Sequence, residues 1–261
     1  MHPLPSLDSI PRGATARGVN RAVVEYLLQN QSADNQFSVL DIPCGQGEFM
    51  ATVRAFFPQV VARGCDLTLP SLPNTEHYVA LDASRPFAVF EGTQFDYVIS
   101  ISGVMEFDNT LQYFESCQKH LRDTGRFIVT NDNLLTLRDR MEYLLFGKFR
   151  QYSAFMVAGE PTWKIVPLQN MLRTLHDAGF NVLSLTYVSM KPKDWLWLPL
   201  GLLVYPFQWL YLQLKRSGMP IERRLEMHPF VSLFYRHYIL VCEKRQGSFD
   251  TPGKTEQSQI D

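Results

Sequence analysis

The sequence has no excess of either charge: 25 Lys and Arg face 26 Asp and Glu across 261 residues, a formal net charge of −1. The broad basic footprint that holds a polyanion is therefore missing, which argues against a nucleic-acid partner. Cysteine is scarce, and Cys44, Cys65, Cys117 and Cys242 include no CxxC pair. Metal-ligand spacing and a disulfide framework are both excluded on that pattern. The six histidines are dispersed; His120 and His176 read as helix-surface residues, His228 and His237 have no evident partner, and no metal site is expected. There is no internal repeat. The opening MHPLPSLDSIPRG places prolines and an acid where a secretory signal carries an apolar run, so a reduced, cytoplasmic protein is the expectation.

What is present is alternation. Residues 1–13 read as a flexible lead-in and 246–261 as a Gly/Ser/Thr/Gln-rich disordered tail. Between them, 14–245 reads as one domain with an apolar insertion over 191–228. Strands are expected at Phe37–Ile42, Val60–Leu67, His77–Leu81, Phe95–Ile101, Arg126–Thr130, Val182–Val188 and Leu233–Cys242. Helices are expected at Ala22–Gln29, Glu48–Phe57, Leu111–Leu121, Leu134–Phe146 and Leu168–Ala178. Uninterrupted apolar strands alternating with helices imply an α/β, doubly wound, mainly parallel seven-stranded sheet, its last strand antiparallel.

The chemistry gathers in VLDIPCGQGEF, Val39 to Phe49. Asp41 ends the first strand, Pro43 and Cys44 shape the turn, and Gly45 and Gly47 precede a helix. Glycines let a ligand approach the backbone, and free N–H groups at a helix start favour an anionic group. An ordinary tight turn would look the same. Two more acids narrow the choice: Asp66 ends the second strand, where a carboxylate can bind a ribose diol, and Asp82 ends the third.

DIPCGQGEF, GCDL, ALDASRPF and FDYVISISGVMEF together resemble the successive motifs of class I S-adenosylmethionine-dependent methyltransferases, nearest to small-molecule enzymes related to those of ubiquinone biosynthesis. The resemblance covers residues 20–190 and implies the Rossmann-like methyltransferase fold. It implies S-adenosyl-L-methionine as cofactor, with Asp41, Gly45 and Gly47 at its methionyl end, Asp66 at the ribose and Asp82 with Ala83 at the adenine. Pro43, Cys44, Leu67 and Ser100 complete the expected cofactor set. Pro43 stands where the first glycine of DxGxGxG is usual, as in relatives with DxPCGxG. A dinucleotide-binding oxidoreductase would more often show GxGxxG, but Phe49 and Met50 occupy the third-glycine region.

Methyl transfer from a sulfonium is an in-line displacement that needs a base only when the acceptor must lose a proton. Glu106, after the fourth strand, is a candidate to orient the acceptor or act as base; capping a helix near Asn109 is the alternative. The Asn/Asp-Pro-Pro-aromatic motif of nucleic-acid amino-methyltransferases is absent there, which disfavours a base-methylating enzyme. Asn131 and Asn133, in the cluster Asn131–Asp132–Asn133 after the fifth strand, are further candidates, with turn formation as the alternative. Arg138 and Arg140 read as a solvated helix face in preference to an anion clamp.

Trp195 to Leu214 has no charged residue and is bracketed by Lys191, Lys193, Lys215 and Arg216. A crossing would divide one sheet between two sides of a bilayer, and Pro199, Gly201 and Pro206 break a straight helix. Peripheral contact with the inner face of a membrane fits better, bringing the site to a lipid-linked acceptor. A buried helical hairpin, a homodimer surface or an apolar lid remain open. The leading expectation is methyl transfer, by family frequency to oxygen, on a small or lipid-linked acceptor. The alternative is a catalytically silent, methyltransferase-like scaffold at a membrane surface.

Overall fold

Four consecutive buried residues, Ser38–Asp41, form strand β1 in the interior of the sheet. The computed structural model describes residues 5–70, 77–153, 155, 163–216 and 218–245. Around β1 lie β2 (Val61–Asp66), β3 (Tyr78–Ala80), β4 (Phe95–Ile101), β5 (Leu121–Asp132), β6 (Phe180–Val188) and β7 (His237–Lys244). Their order is β3-β2-β1-β4-β5-β7-β6. Pairings from β3 through β5 are parallel, and β7 runs antiparallel to both β5 and β6. The doubly wound methyltransferase architecture expected from the sequence is the one observed.

Side chains alternate across this sheet and build two cores. Leu40, Val98, Val129 and Leu240 face α3 (Thr110–Lys119) and α5 (Leu168–Asp177). Val39, Ile99, Ile128 and Ile239 face α1 (Val19–Asn30) and α2 (Glu48–Phe56). Gly147 caps α4 (Leu137–Phe146) in the left-handed conformation, as its position implied.

The apolar insertion departs from expectation. Leu198–Leu214 is one continuous helix, α6, followed by α7 (Ile221–Met227). Pro199 sits in the first turn, where its missing N–H is no loss; Pro206 lies inside the helix and is tolerated. Gly201 permits close packing, since a Cβ there would stand 2.3 Å from Phe234 Cζ. Leu202, Leu203, Phe207, Tyr211 and Leu214 are exposed. Among the described residues, no helix is long and apolar enough to cross a membrane.

Leu7–Ser9 is a short 3-10 helix, and the buried Asn20 amide donates to the carbonyls of Pro11 (3.0 Å) and Arg12 (3.2 Å). Pro11 and Arg12 are thereby tied to α1. The tail 246–261 lies outside the described residues.

Candidate active site

Strand order reverses between β1 and β4, and the crevice beyond their carboxyl ends is where open α/β sheets bind ligands. A cleft of about 650 Å³ opens there. Its floor is the Ile42–Gly47 turn, tied down on both sides. Ile42 N–H donates to Ile99 O and Cys44 N–H to Cys65 O, each at 2.9 Å, while Gly45 N–H donates to Asp66 Oδ2 at 2.8 Å. Gly45 and Gly47 have φ of 53° and 77°, so both need the left-handed freedom of glycine. The Ile42–Pro43 bond is cis.

Acids dominate this cleft: Asp41, Glu48, Asp66 and Glu106 line it with Arg12. Asp41 is 2% exposed. Burial, and then the charge of Asp66, raise its carboxyl well above the ordinary range. Its Oδ1 and the Oδ1 of Asn20 are buried without a hydrogen-bond partner among the described residues, and both residues line the cleft. Two orphaned acceptors beside a glycine turn and a strand-end acid fit a ligand that is cationic, donates hydrogen bonds and carries a diol. S-adenosylmethionine, with its ammonium, sulfonium and ribose, has that chemistry.

A second lobe of about 450 Å³ shares Arg12, Ala14, Thr15, Ser102 and Glu106 with the first. Its charge is opposite: Arg150, Arg236, Lys191, Lys193 and Arg17 lie along it. At its base, His237 begins β7 opposite Asp132 at the end of β5. Nδ1 of the buried imidazole lies 3.2 Å from Asp132 Oδ1, and Nε2 lies 3.2 Å from both Ser102 Oγ and Thr130 Oγ1. Ser102 Oγ is 2.6 Å from Thr15 Oγ1. A chain Asp132–His237–Ser102 thus runs to the junction of the two lobes.

Comparison with known proteins agrees with this geometry. The methyltransferase domain family matches residues 13–185. The chain belongs to that family. The methyltransferase domain also shares its fold with an S-adenosylmethionine-dependent methyltransferase from Clostridium acetobutylicum, at TM-score 0.52 and 12% identity over 91% of this chain and 95% of that one. It likewise resembles magnesium protoporphyrin IX methyltransferase from Synechocystis with bound S-adenosylhomocysteine (TM-score 0.52, 12% identity, 86% of this chain and 81% of that one). An uncharacterized protein of Methanocaldococcus jannaschii is 28% identical over 134 residues, 50% of this chain. The chain spans about half the length of that curated relative (51%).

Within the methyltransferase cleft, Asp41, Pro43, Cys44, Gly45, Asp66 and Glu106 come together as the sequence suggested. Gly47 starts α2 beside them. Burial and nearby Asp41 raise the Cys44 thiol, which suits a packing residue and not a nucleophile. Leu67 follows Asp66 with an exposed side chain.

Other candidates lie outside the lining of both lobes. Asn133 is fully buried; its amide donates to Ser232 O (2.8 Å) and Tyr235 O (2.7 Å), and its Oδ1 accepts from Leu135 N–H (2.9 Å). Its hydrogen bonds anchor the turn before β7, so it is a structural residue. Asn131 is 2% exposed, donates to Val166 O at 3.2 Å and lines neither lobe. Ser100 is inside the sheet, 2.9 Å from the Tyr113 hydroxyl, which donates to Ile42 O at 2.5 Å. Asp82 spends one carboxylate oxygen on Ser84 N–H (3.0 Å) and the other on Arg85 (3.3 Å), while Ala83 packs in the core. Neither lines the cleft.

Sequence reasoning missed His237, Ser102 and Arg150. The first needs the β5–β7 register, which no local pattern gives. Ser102 carried a usable sign, standing directly beyond β4 next to Gly103. Its φ of 57°, uncommon for a residue with a side chain, emerges only in the structure.

Proposed function

We propose that this protein transfers a methyl group from S-adenosylmethionine to oxygen on a small or lipid-linked acceptor. The observation that carries the reading is the pair of orphaned acceptors, Asp41 Oδ1 and Asn20 Oδ1, in the acidic lobe at the sheet's reversal point. When bound, the cofactor supplies a methyl group on an electrophilic sulfonium. Asp41 and Asn20 accept hydrogen bonds from its ammonium, and Asp66 from its ribose.

An acceptor hydroxyl at the lobe junction meets Ser102 Oγ. As the oxygen is alkylated, its proton passes to Ser102 Oγ and the serine proton passes to His237 Nε2. Asp132 keeps the proton of the imidazole on Nδ1 and offsets the charge that develops. Glu106, lining both lobes, orients the acceptor.

The lipid-linked form of the acceptor is supported by α6. Its exposed leucines and aromatics, flanked by Lys191, Lys193, Lys215 and Arg216, have the chemistry of a helix lying in a membrane interface. That makes the protein cytoplasmic and peripheral at the inner face. The same surface supports the second reading, a silent scaffold, and covering it with a second copy would make a homodimer. Incubation with methyl-labelled cofactor and a polar-lipid extract or a small-metabolite extract tests turnover. Label in an acceptor supports the enzyme; cofactor binding with no labelled acceptor supports the scaffold.

A further inference from the structure

Two guanidinium groups of the second lobe are in different states. Arg236 is closed: its fork makes two hydrogen bonds to Asp194, and both side chains are nearly buried. Arg150 is open. Its side chain is 8% exposed, yet neither Nη1 nor Nη2 has a hydrogen-bond partner among the described residues. The nearest acid, Asp139, has Oδ2 at 3.7 Å, beyond hydrogen-bond reach. That carboxylate is already occupied, accepting from Arg150 N–H (3.0 Å) and from Thr136 Oγ1 (2.5 Å). A buried guanidinium with idle donors is costly unless another group completes it.

The surroundings say what completes it. Arg150 lines the same lobe as Lys191, Lys193, Arg12, Arg17 and Arg236, against the acids Glu106 and Asp132. Asp132 is engaged by His237. Lys191 is held below its ordinary value chiefly by Arg236 and then by burial, with Lys193, Arg12 and Arg150 adding to the effect. Burial lowers Arg150 as well. Mutual repulsion of this kind marks a site short of an anion. A single carboxylate would leave most of these cations uncompensated, whereas a phosphoryl group offers more charge and several oxygens to a planar fork.

We infer that this lobe is a phosphate-binding site, with Arg150 as its buried fork, and that the methyl acceptor enters anchored by a phosphomonoester or phosphodiester. The acceptor role rests on the methyl-transfer reading; the anion site stands on its own geometry. The anchored end lies in the basic lobe, and the shared wall at Ser102 and Glu106 brings the rest of the molecule toward the acidic lobe.

Titration of the full chain with glycerol 3-phosphate, with glycerol as control, tests the site by calorimetry. Sedimentation with phosphatidic acid vesicles against phosphatidylcholine vesicles tests the lipid source. Arg150-dependent binding of glycerol 3-phosphate assigns a soluble phosphate compound; Arg150-dependent binding of phosphatidic acid vesicles alone assigns a lipid headgroup. Arg150→Met is expected to weaken the phosphate ligand about tenfold or more, with Arg150→Lys recovering only part. S-adenosylmethionine affinity should stay within about twofold in these variants, because Arg150 lies outside the acidic lobe. Should Arg150→Met fail to fold, the surface variant Arg17→Gln, at a position that lines the lobe without flanking α6, decides, with a loss of about threefold or more expected. No binding of either phosphate probe, or binding unchanged in the deciding variant, overturns the site. Failure of the wild-type chain to bind S-adenosylmethionine would instead overturn the methyltransferase reading and leave the phosphate result intact.

Discussion

The ring of Pro43 fills the space that a side chain on Gly103 would need: a Cβ at 103 would lie 2.3 Å from Pro43 Cδ. These residues face each other across the reversal point of the sheet, one after β1 and one after β4. The proline that departs from the usual glycine pattern is thus matched by a glycine on the neighbouring strand end. Gly103 has φ −93° and ψ −19°, open to any residue, so its requirement is for space and not for backbone freedom.

Gly103→Ala is therefore expected to displace the Pro43 turn, destabilising the fold by about 1–3 kcal/mol and weakening cofactor binding. Replacing Pro43 by Gly in the same chain should return much of both. Thermal melts and calorimetry of the single and double variants measure this. Strictly additive losses would show that the two positions do not interact.

Asp41 is expected to trade stability for binding. Its carboxyl, raised by burial and by Asp66, has a folded pKa above its unfolded value. It favours folding below the ordinary carboxylate range, and that contribution is lost as pH rises through the folded value. At neutral pH, Asp41→Asn should therefore raise the Tm of the cofactor-free protein, by roughly 2–4 °C for each 1 kcal/mol relieved, while weakening the cofactor. A cation bound beside Asp41 favours the carboxylate, so binding should release a proton and tighten as pH rises through the folded pKa. Calorimetry in buffers of different ionisation enthalpy reads the proton; uptake would contradict the assignment.

For an oxygen acceptor, His237→Gln and Asp132→Asn are expected to lower kcat about 100-fold or more. The cofactor dissociation constant should change little, because both residues line only the basic lobe. Rates at saturating cofactor, once a labelled acceptor is in hand, test this. An undiminished kcat would show that no proton passes through the imidazole.

On α6, Phe207→Glu with Leu203→Glu should abolish flotation with anionic vesicles while leaving cofactor binding and Tm nearly unchanged, since both side chains are exposed. Removing two large apolar groups from an interface amounts to about 3–6 kcal/mol. Unchanged flotation would assign this face to something other than lipid.

Much of the cleft was legible because it obeys local rules. β1 and β4 are buried apolar runs, the glycines sit where the chain turns, and Asp66 ends its strand. Asparagine was ambiguous by its chemistry: Asn133 holds carbonyls of its own chain with the same groups it would present to a ligand. His237 and Arg150 were invisible for a different reason. One acquires meaning from a partner 105 residues away, the other from guanidinium nitrogens that have no hydrogen-bond partner among the described residues. The continuity of α6 was obscured by its prolines, although the first falls in the one turn of a helix that has no use for its N–H.

Isothermal titration of the full chain with S-adenosylmethionine and its demethylated product tests the central claim most directly. Each is expected to bind once per chain, and Asp66→Ala, which removes the carboxylate proposed for the ribose and its hold on Gly45 N–H, is expected to weaken both about tenfold or more. Absence of binding by both ligands would contradict it.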